Sequence, residues 1–163
     1  MQIKTADLCD NNPTVVRVAE PIGLINLGGH SSFYGQIHTV KCFEDNSFVR
    51  KALDQDGKGK VLVVDGGGSL RCAMLGDMLG ELAVKNNWSG IIVYGCIRDS
   101  AAISKLPLGV KALNTIPIKS NKRNEGQENI TVRFAGTDFV PGEFIYSDED
   151  GIIVSAQPLN LPN

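Results

Sequence analysis

Two short apolar runs, 60-KVLVVDGGG-68 and 90-GIIVYG-95, stand on either side of a stretch with helical periodicity, and no other feature narrows the fold as much. Neither run alternates between apolar and polar residues, so each reads as a buried strand, with Ile91 to Tyr94 covered on both faces. Between them, 76-GDMLGELAVKNN-87 places Met78, Leu79, Leu82 and Ala83 at helical spacing, with Asn86 and Asn87 as a C-terminal stop. Strand, helix and strand in succession predict a layered α/β arrangement.

The rest of the chain extends this pattern. Thr5 to Asp10 predict a short helix with Thr5 as its N-cap and Pro13 beyond its end, and 14–28 reads as extended and turn-rich. A strand is expected over 34–43. An amphipathic helix is expected over 44–59, capped by Asp45 or Asn46 and ended by Gly57, with Phe48, Val49, Ala52 and Leu53 as its stripe. A further strand candidate covers 69–75, a weak helix or loop covers 101–108, and a strand lies within 109–120. Residues 121–129 are polar and read as a mobile loop. From 130 to 155, short strands turn at Gly136, Pro141-Gly142 and Asp150-Gly151. The acidic run 147-SDEDG-151 reads as a hairpin turn, because the spacing of an EF-hand calcium loop is missing. The predicted fold class is α/β, a single layered domain over 1–163 with a mixed sheet.

A length of 163 residues with 42% hydrophobic content suits one domain with a real core. The 18 glycines and 6% aromatic content point to tight turns and small aliphatic packing. A net charge of -2 with scattered Lys and Arg gives no footprint for direct nucleic-acid binding. Cys9, Cys42, Cys72 and Cys96 form no C-x-x-C pair, so they read as buried or idle thiols of a cytoplasmic protein. No segment reaches the length of a membrane span, and MQIKTADLCDNNP lacks the apolar run of a signal peptide.

Three places invite a functional reading. Gly66-Gly67-Gly68 lacks the G-x-G-x-x-G and G-K-[ST] patterns, so a close crossing of backbones is preferred over a phosphate cradle. Gly76-Asp77-Met78-Leu79 opens a helix, where free amides bind carboxylates, although ordinary capping is the commoner explanation. Arg98-Asp99 follows the second buried strand, and a bare pair of this kind is usually solvated. Sites in α/β sheets gather at strand ends, and neighbouring strands would unite the two turns. Two carboxylates with waters suit Mg²⁺ or Mn²⁺, and a guanidinium suits a planar carboxylate or enolate. His30 and His38 lie far from any evident nucleophile, though His30, after Gly28-Gly29, can still face a pocket.

The run 61-VLVVDGGGSLRCAMLGDMLGELAVKNNWSGIIVYGCIRDS-100 closely resembles the family of the regulator of ribonuclease activity A, which includes the class II 4-hydroxy-4-methyl-2-oxoglutarate aldolases. Segments 34-YGQIHTVKCFEDN-46 and 143-EFIYSDEDGIIVS-155 match as well, so the likeness covers nearly the whole chain. The catalytic branch carries an aspartate, twenty intervening residues and then Arg-Asp, the spacing of Asp77 and Arg98-Asp99 here. The resemblance implies that Asp99 anchors a divalent metal, Mg or Mn, and that Asp77 holds metal-bound water. It implies that Arg98 and the amides of Gly76, Asp77, Met78 and Leu79 bind the pyruvate part of a small 2-keto acid. It further implies a swivelling β/β/α fold and a homotrimer or dimer of trimers. The expected reaction is metal-dependent cleavage of 4-hydroxy-4-methyl-2-oxoglutarate to two pyruvates, with oxaloacetate decarboxylation as a side activity. The alternative is a non-catalytic regulator that binds and inhibits ribonuclease E.

Overall fold

The computed structural model describes residues 2–162. In chain order the first half contains α1 (Thr5–Asn11), β1 (Val16–Val18), β2 (Ile25–Asn26), β3 (Phe33–Lys41), α2 (Ser47–Leu53), β4 (Lys60–Asp65), β5 (Ala73–Leu75) and α3 (Asp77–Lys85). The second half contains β6 (Gly90–Ile97), α4 (Ser100–Ile103), β7 (Gly109–Thr115), β8 (Gln127–Glu128), β9 (Val132–Phe134), β10 (Thr137–Phe139), β11 (Phe144–Ser147) and β12 (Ile152–Ser155).

The two apolar runs are β4 and β6, paired in parallel with Val61 opposite Gly90 and Val64 opposite Val93. Their alternation is hidden because both faces are apolar. Leu62, Val64, Ile91 and Val93 face the helices, packing with Val49, Leu53, Leu79 and Ile103. Val61, Val63 and Ile92 face the opposite layer, packing with Phe134, Phe139, Ile145 and Val154. Each such side chain contributes roughly 1.5–3 kcal/mol by burial, which makes this pair the spine of the domain.

The main sheet runs β1-β12-β11-β3-β4-β6-β7-β2, with β3, β4, β6 and β7 parallel and the outer strands antiparallel. Its first and last strands, β1 and β2, are joined by residues 19–24 alone. That connection reaches at most about 25 Å, whereas eight strands laid flat would separate the edges by about 34 Å. The sheet must therefore coil strongly on itself. The result is a β/β/α layering, as the family resemblance implies, within the mixed α/β domain that the sequence pattern predicts.

Several expectations need correction. Thr5 is not the cap of α1. Lys4 holds that position without a side-chain bond, and the Thr5 amide and hydroxyl both donate to the buried Asp148 carboxylate at 2.7 Å. The SDEDG run is the expected turn between β11 and β12, and its first acid caps a helix 143 residues away in sequence. Helix α2 spans only Ser47–Leu53, and 54–59 turns instead of continuing the helix. Only Ala73–Leu75 of the 69–75 candidate is strand, and of the 101–108 region only 101–103 is helical, as the end of α4, which begins at Ser100. Gly95 does not end its strand: β6 runs on to Ile97, slips register against β7 after Val93, and takes β5 as a partner. Met78 is 72% exposed, because the buried face of α3 follows Leu79, Gly80 and Ala83.

The polar segment 121–129 is tied down by a buried acid. Asp45 Oδ2 accepts from the Arg123 and Glu125 amides at 2.7 and 3.1 Å. Its Oδ1 accepts from the Ser47 amide and hydroxyl at 2.9 and 2.6 Å. Farther along, β8 pairs with the end of β3, and Glu128 meets His38 at 2.7 Å. The triple glycine is a backbone crossing, with the amides of Gly66 and Gly68 donating to the Tyr94 carbonyl. A Cβ at Gly66 would lie 2.8 Å from that oxygen. The four cysteines are free, and burial pushes the Cys42 thiol up to about 12. Among the described residues no helix is long and apolar enough to cross a membrane.

Burial alone would raise the Asp45 carboxyl, but the hydrogen bonds from Ser47, Arg123 and Glu125 outweigh it and hold the group at about 2, below its ordinary 3.8. The unfolded chain therefore takes up this proton first. The stabilisation is complete above pH 3.8 and is lost as pH falls through about 2, with a total on the order of 2 kcal/mol. Chemical denaturation from pH 5 to pH 2 is expected to show this loss in the wild type. The difference between wild type and Asp45→Asn should shrink towards the acid end, and a pH-independent difference would contradict the assignment.

Candidate active site

The parallel pairing of β5 with β6 brings two strand–helix turns into contact. β5 ends at Leu75, Gly76 occupies the N-cap of α3, and Asp77 opens the helix. β6 ends at Ile97, and Arg98 and Asp99 follow before α4. The Arg98 amide donates to the Leu75 carbonyl at 2.9 Å, and the Asp77 amide donates to Asp99 Oδ2 at 3.0 Å. Asp99 adopts a left-handed conformation with φ 57°, an unusual geometry that aspartate tolerates better than most side chains. Gly76 has extended backbone that any residue adopts, so its glycine is explained by proximity instead. A Cβ there would lie 2.9 Å from Asp99 Oδ2 and 3.5 Å from the Arg98 side chain.

Gly76, Asp77, Met78, Leu79, Arg98 and Asp99 line one cleft of about 140 Å³ at the C-terminal end of the parallel strands. Met78 stands exposed at its rim, Leu79 is buried, Asp77 and Arg98 are half-buried, and Asp99 is exposed. Two of the helix-opening amides are engaged by carboxylates, that of Asp77 by Asp99 and that of Met78 by Asp77 Oδ1 at 2.8 Å. Among the described residues Arg98 and Asp99 form no ion pair with each other or with any other group. His30 instead lines a separate groove beside Trp88 and Pro107, at the opposite end of the sheet.

The cleft also contains residues that the sequence does not single out: Asn46, Arg50, Lys119, Ser120 and Lys122. Asn46 was expected only as a helix cap, and no spacing links it to residues some seventy positions later. The Ser120 hydroxyl donates to Asn46 Oδ1 at 2.9 Å and accepts from the Asn46 amide at 3.2 Å. Four cationic side chains, Arg50, Arg98, Lys119 and Lys122, thus share the cleft with two carboxylates. That balance suits an anionic ligand.

Among the described residues no three His, Cys, Asp or Glu side chains gather as a metal cage. The donors at hand are Asp77 and Asp99, each with one carboxylate oxygen free of protein hydrogen bonds among the described residues. Such a set fits a hard, hydrated divalent ion that keeps most of its waters, and does not fit a closed zinc site.

Residues 5–154 match the RraA-like family model, described as Aldolase/RraA. The chain belongs to the Aldolase/RraA family. A relative from Pseudomonas paraeruginosa is 58% identical over 162 residues, spans 99% of each chain and carries the name "Putative 4-hydroxy-4-methyl-2-oxoglutarate aldolase". Among solved structures, one described as the RNA-processing inhibitor RraA from Thermus thermophilis superposes with TM-score 0.92 at 39% identity, over 100% of this chain and 96% of that one. Another, described as an S-adenosylmethionine: 2-dimethylmenaquinone methyltransferase from Geobacillus kaustophilus, superposes with TM-score 0.93 at 44% identity over 96% of each chain.

Gly76→Ala tests the packing of the two turns. The Asp99 carboxylate can swing aside, so the variant should fold with a thermal midpoint within a few degrees of wild type. Its crystal structure is expected to show Asp99 displaced and the bond from the Asp77 amide broken. An unmoved Asp99 would contradict the close approach.

Proposed function

We propose that this RraA-like chain cleaves 4-hydroxy-4-methyl-2-oxoglutarate into two pyruvates in a divalent-metal-dependent reaction, and decarboxylates oxaloacetate as a secondary activity. The observation that carries the reading is the meeting of Arg98, Asp77 and Asp99 in one small cationic cleft, in a chain 58% identical to relatives bearing that aldolase name. Asp99 would hold Mg²⁺ or Mn²⁺ directly and Asp77 would hold it through water. The ion would supply Lewis-acid stabilisation of charge on the 2-oxo group.

The chain's own side chains account for the remaining needs. The Arg98 guanidinium is a planar cation suited to a planar carboxylate, so it would bind the 1-carboxylate and meet the charge that develops as the C3–C4 bond breaks. Helix-opening amides at Gly76 to Leu79 would orient the same end of the substrate, those of Asp77 and Met78 by exchanging their present carboxylate partners for it. Asp77 would orient a water that takes the 4-hydroxyl proton and afterwards protonates C3, so that both halves leave as pyruvate. Oxaloacetate loses CO₂ through the same charge distribution. Assembly as a homotrimer, or a dimer of trimers, is part of this reading. Exposed Phe43, Leu70 and Ile118, on segments that lead into the cleft, support association of copies.

A volume of about 140 Å³ is below the range of about 300–1,000 Å³ that drug-sized ligands occupy. This favours a small oxo acid over an adenosyl cofactor. The likeness to the Thermus protein supports a second reading, inhibition of ribonuclease E through a surface contact. A pull-down with the purified endonuclease, run beside a pyruvate-release assay, separates the two.

Excess chelator is expected to abolish pyruvate release, and added Mg²⁺ or Mn²⁺ to restore it. Arg98→Ala should lower kcat by about 10²–10³-fold, and Asp99→Ala should remove metal dependence together with most of the rate while remaining folded. Turnover that persists unchanged in chelator, or a fully active Asp99→Ala protein, would refute the proposal.

A further inference from the structure

The groove that holds His30 lies at the end of the sheet remote from the cleft. It encloses about 450 Å³, and no carboxylate, ammonium or guanidinium lines it. That volume falls within the range of about 300–1,000 Å³ typical of small-molecule sites. Helix α3 connects the two places. Its N-terminus opens at the cleft, while Val84 in its last turn and Asn87 just past it stand in the groove. The partial negative charge of a helix C-terminus disfavours an anion there.

The groove's surface is part aromatic and part hydrogen-bonding. Buried Phe33 and Trp88 form its floor. The Trp88 indole N–H donates to the Leu53 and Gln55 carbonyls at 3.3 and 3.2 Å, so the ring offers the groove only carbon. Tyr34 is held by stacking on Tyr146, with ring centroids 5.9 Å apart. Among the described residues the side chains of His30, Tyr34, Asn87 and Ser89 form no hydrogen bond to protein, whereas the Ser32 hydroxyl is engaged with Ile3. The backbone that carries Asn87 and Ser89 is fixed. The Asn87 amide donates to the Val84 carbonyl, that of Trp88 to Ala83 and that of Ser89 to Lys60. Neutral imidazole, phenol, carboxamide and hydroxyl groups each both donate and accept. An ion needs only one of those capacities, whereas a ligand hydroxyl uses both.

We propose that this groove is a second binding site, which takes a neutral mono- or disaccharide. The C–H face of the sugar lies on the aromatic floor, and its hydroxyls bond to His30, Tyr34, Asn87 and Ser89. No residue of the groove lines the cleft, so the proposal stands apart from the aldolase reading.

The test follows amide chemical shifts of the isotope-labelled full chain during titration with glucose, galactose, maltose and cellobiose. At least one of these sugars should move the amides of Tyr34, Asn87 and Ser89 saturably at millimolar concentration, with those of Gly76 and Asp99 unmoved. The matching uronate, with a carboxylate in place of a hydroxymethyl group, should bind at least about tenfold more weakly. Asn87 has φ 67°, a left-handed conformation that glycine adopts freely, and phenylalanine preserves the stack on Tyr146. Tyr34→Phe/Asn87→Gly should therefore keep the fold, read from an unchanged spectrum elsewhere, and weaken sugar binding by about tenfold. Shifts from none of the four sugars, or shifts confined to the cleft, would overturn the proposal. Equal affinity for the uronate would overturn the selection of a neutral ligand. Binding that survives the double substitution undiminished would overturn the assignment to these side chains.

Discussion

Burial of the β4–β6 pair on both faces is the constraint from which the rest of the architecture follows. Leu62 and Val64 look to the helices while Val61 and Val63 look to the second β layer, so this one pair belongs to two cores at once. Parallel neighbours need a crossover, and α3 with the strand β5 before it supplies one. The crossover fixes where the chain emerges. Both strands end on the same edge, and β5 then pairs with the far end of β6. The turn into α3 and the turn into α4 are therefore held against each other by main-chain pairing, before any side chain contributes.

The charges of the candidate site are placed on that edge. Arg98 and Asp99 are adjacent in sequence yet do not serve each other. Asp99, in a left-handed conformation, reaches across to the amide of Asp77 while Arg98 lines the cleft. Unusual backbone geometry of this kind persists where the surroundings hold it, and it is common at functional sites. The missing side chain at Gly76 has the same cause, since the two turns approach too closely for a Cβ without displacement.

Two buried carboxylates organise the periphery by one physical rule. A buried acid must be satisfied by donors, and loops and helix ends have spare amides to offer. Asp148 meets the first amide of α1, and Asp45 meets the amides of Ser47, Arg123 and Glu125. Each joins segments far apart in the chain. A stretch that is polar and irregular in composition, 121–129, becomes one wall of the cleft's surroundings because of such bonds.

The buried strands, the helix between them, the α/β class and the candidate residues Gly76, Asp77, Met78, Leu79, Arg98 and Asp99 were legible in the sequence. Apolar runs, helical period and a twenty-residue spacing are local signals, and the resemblance to a known family added the roles proposed for those residues. The tertiary structure decided what depends on contacts between distant segments. It exposed Met78, carried β6 past Gly95, gave the capping of α1 to Asp148 and brought Asn46, Arg50, Lys119, Ser120 and Lys122 to the cleft. Periodicity reports only which face of an element is apolar. It carries no record of which remote amide will satisfy a buried acid, or which loop that acid will hold in place.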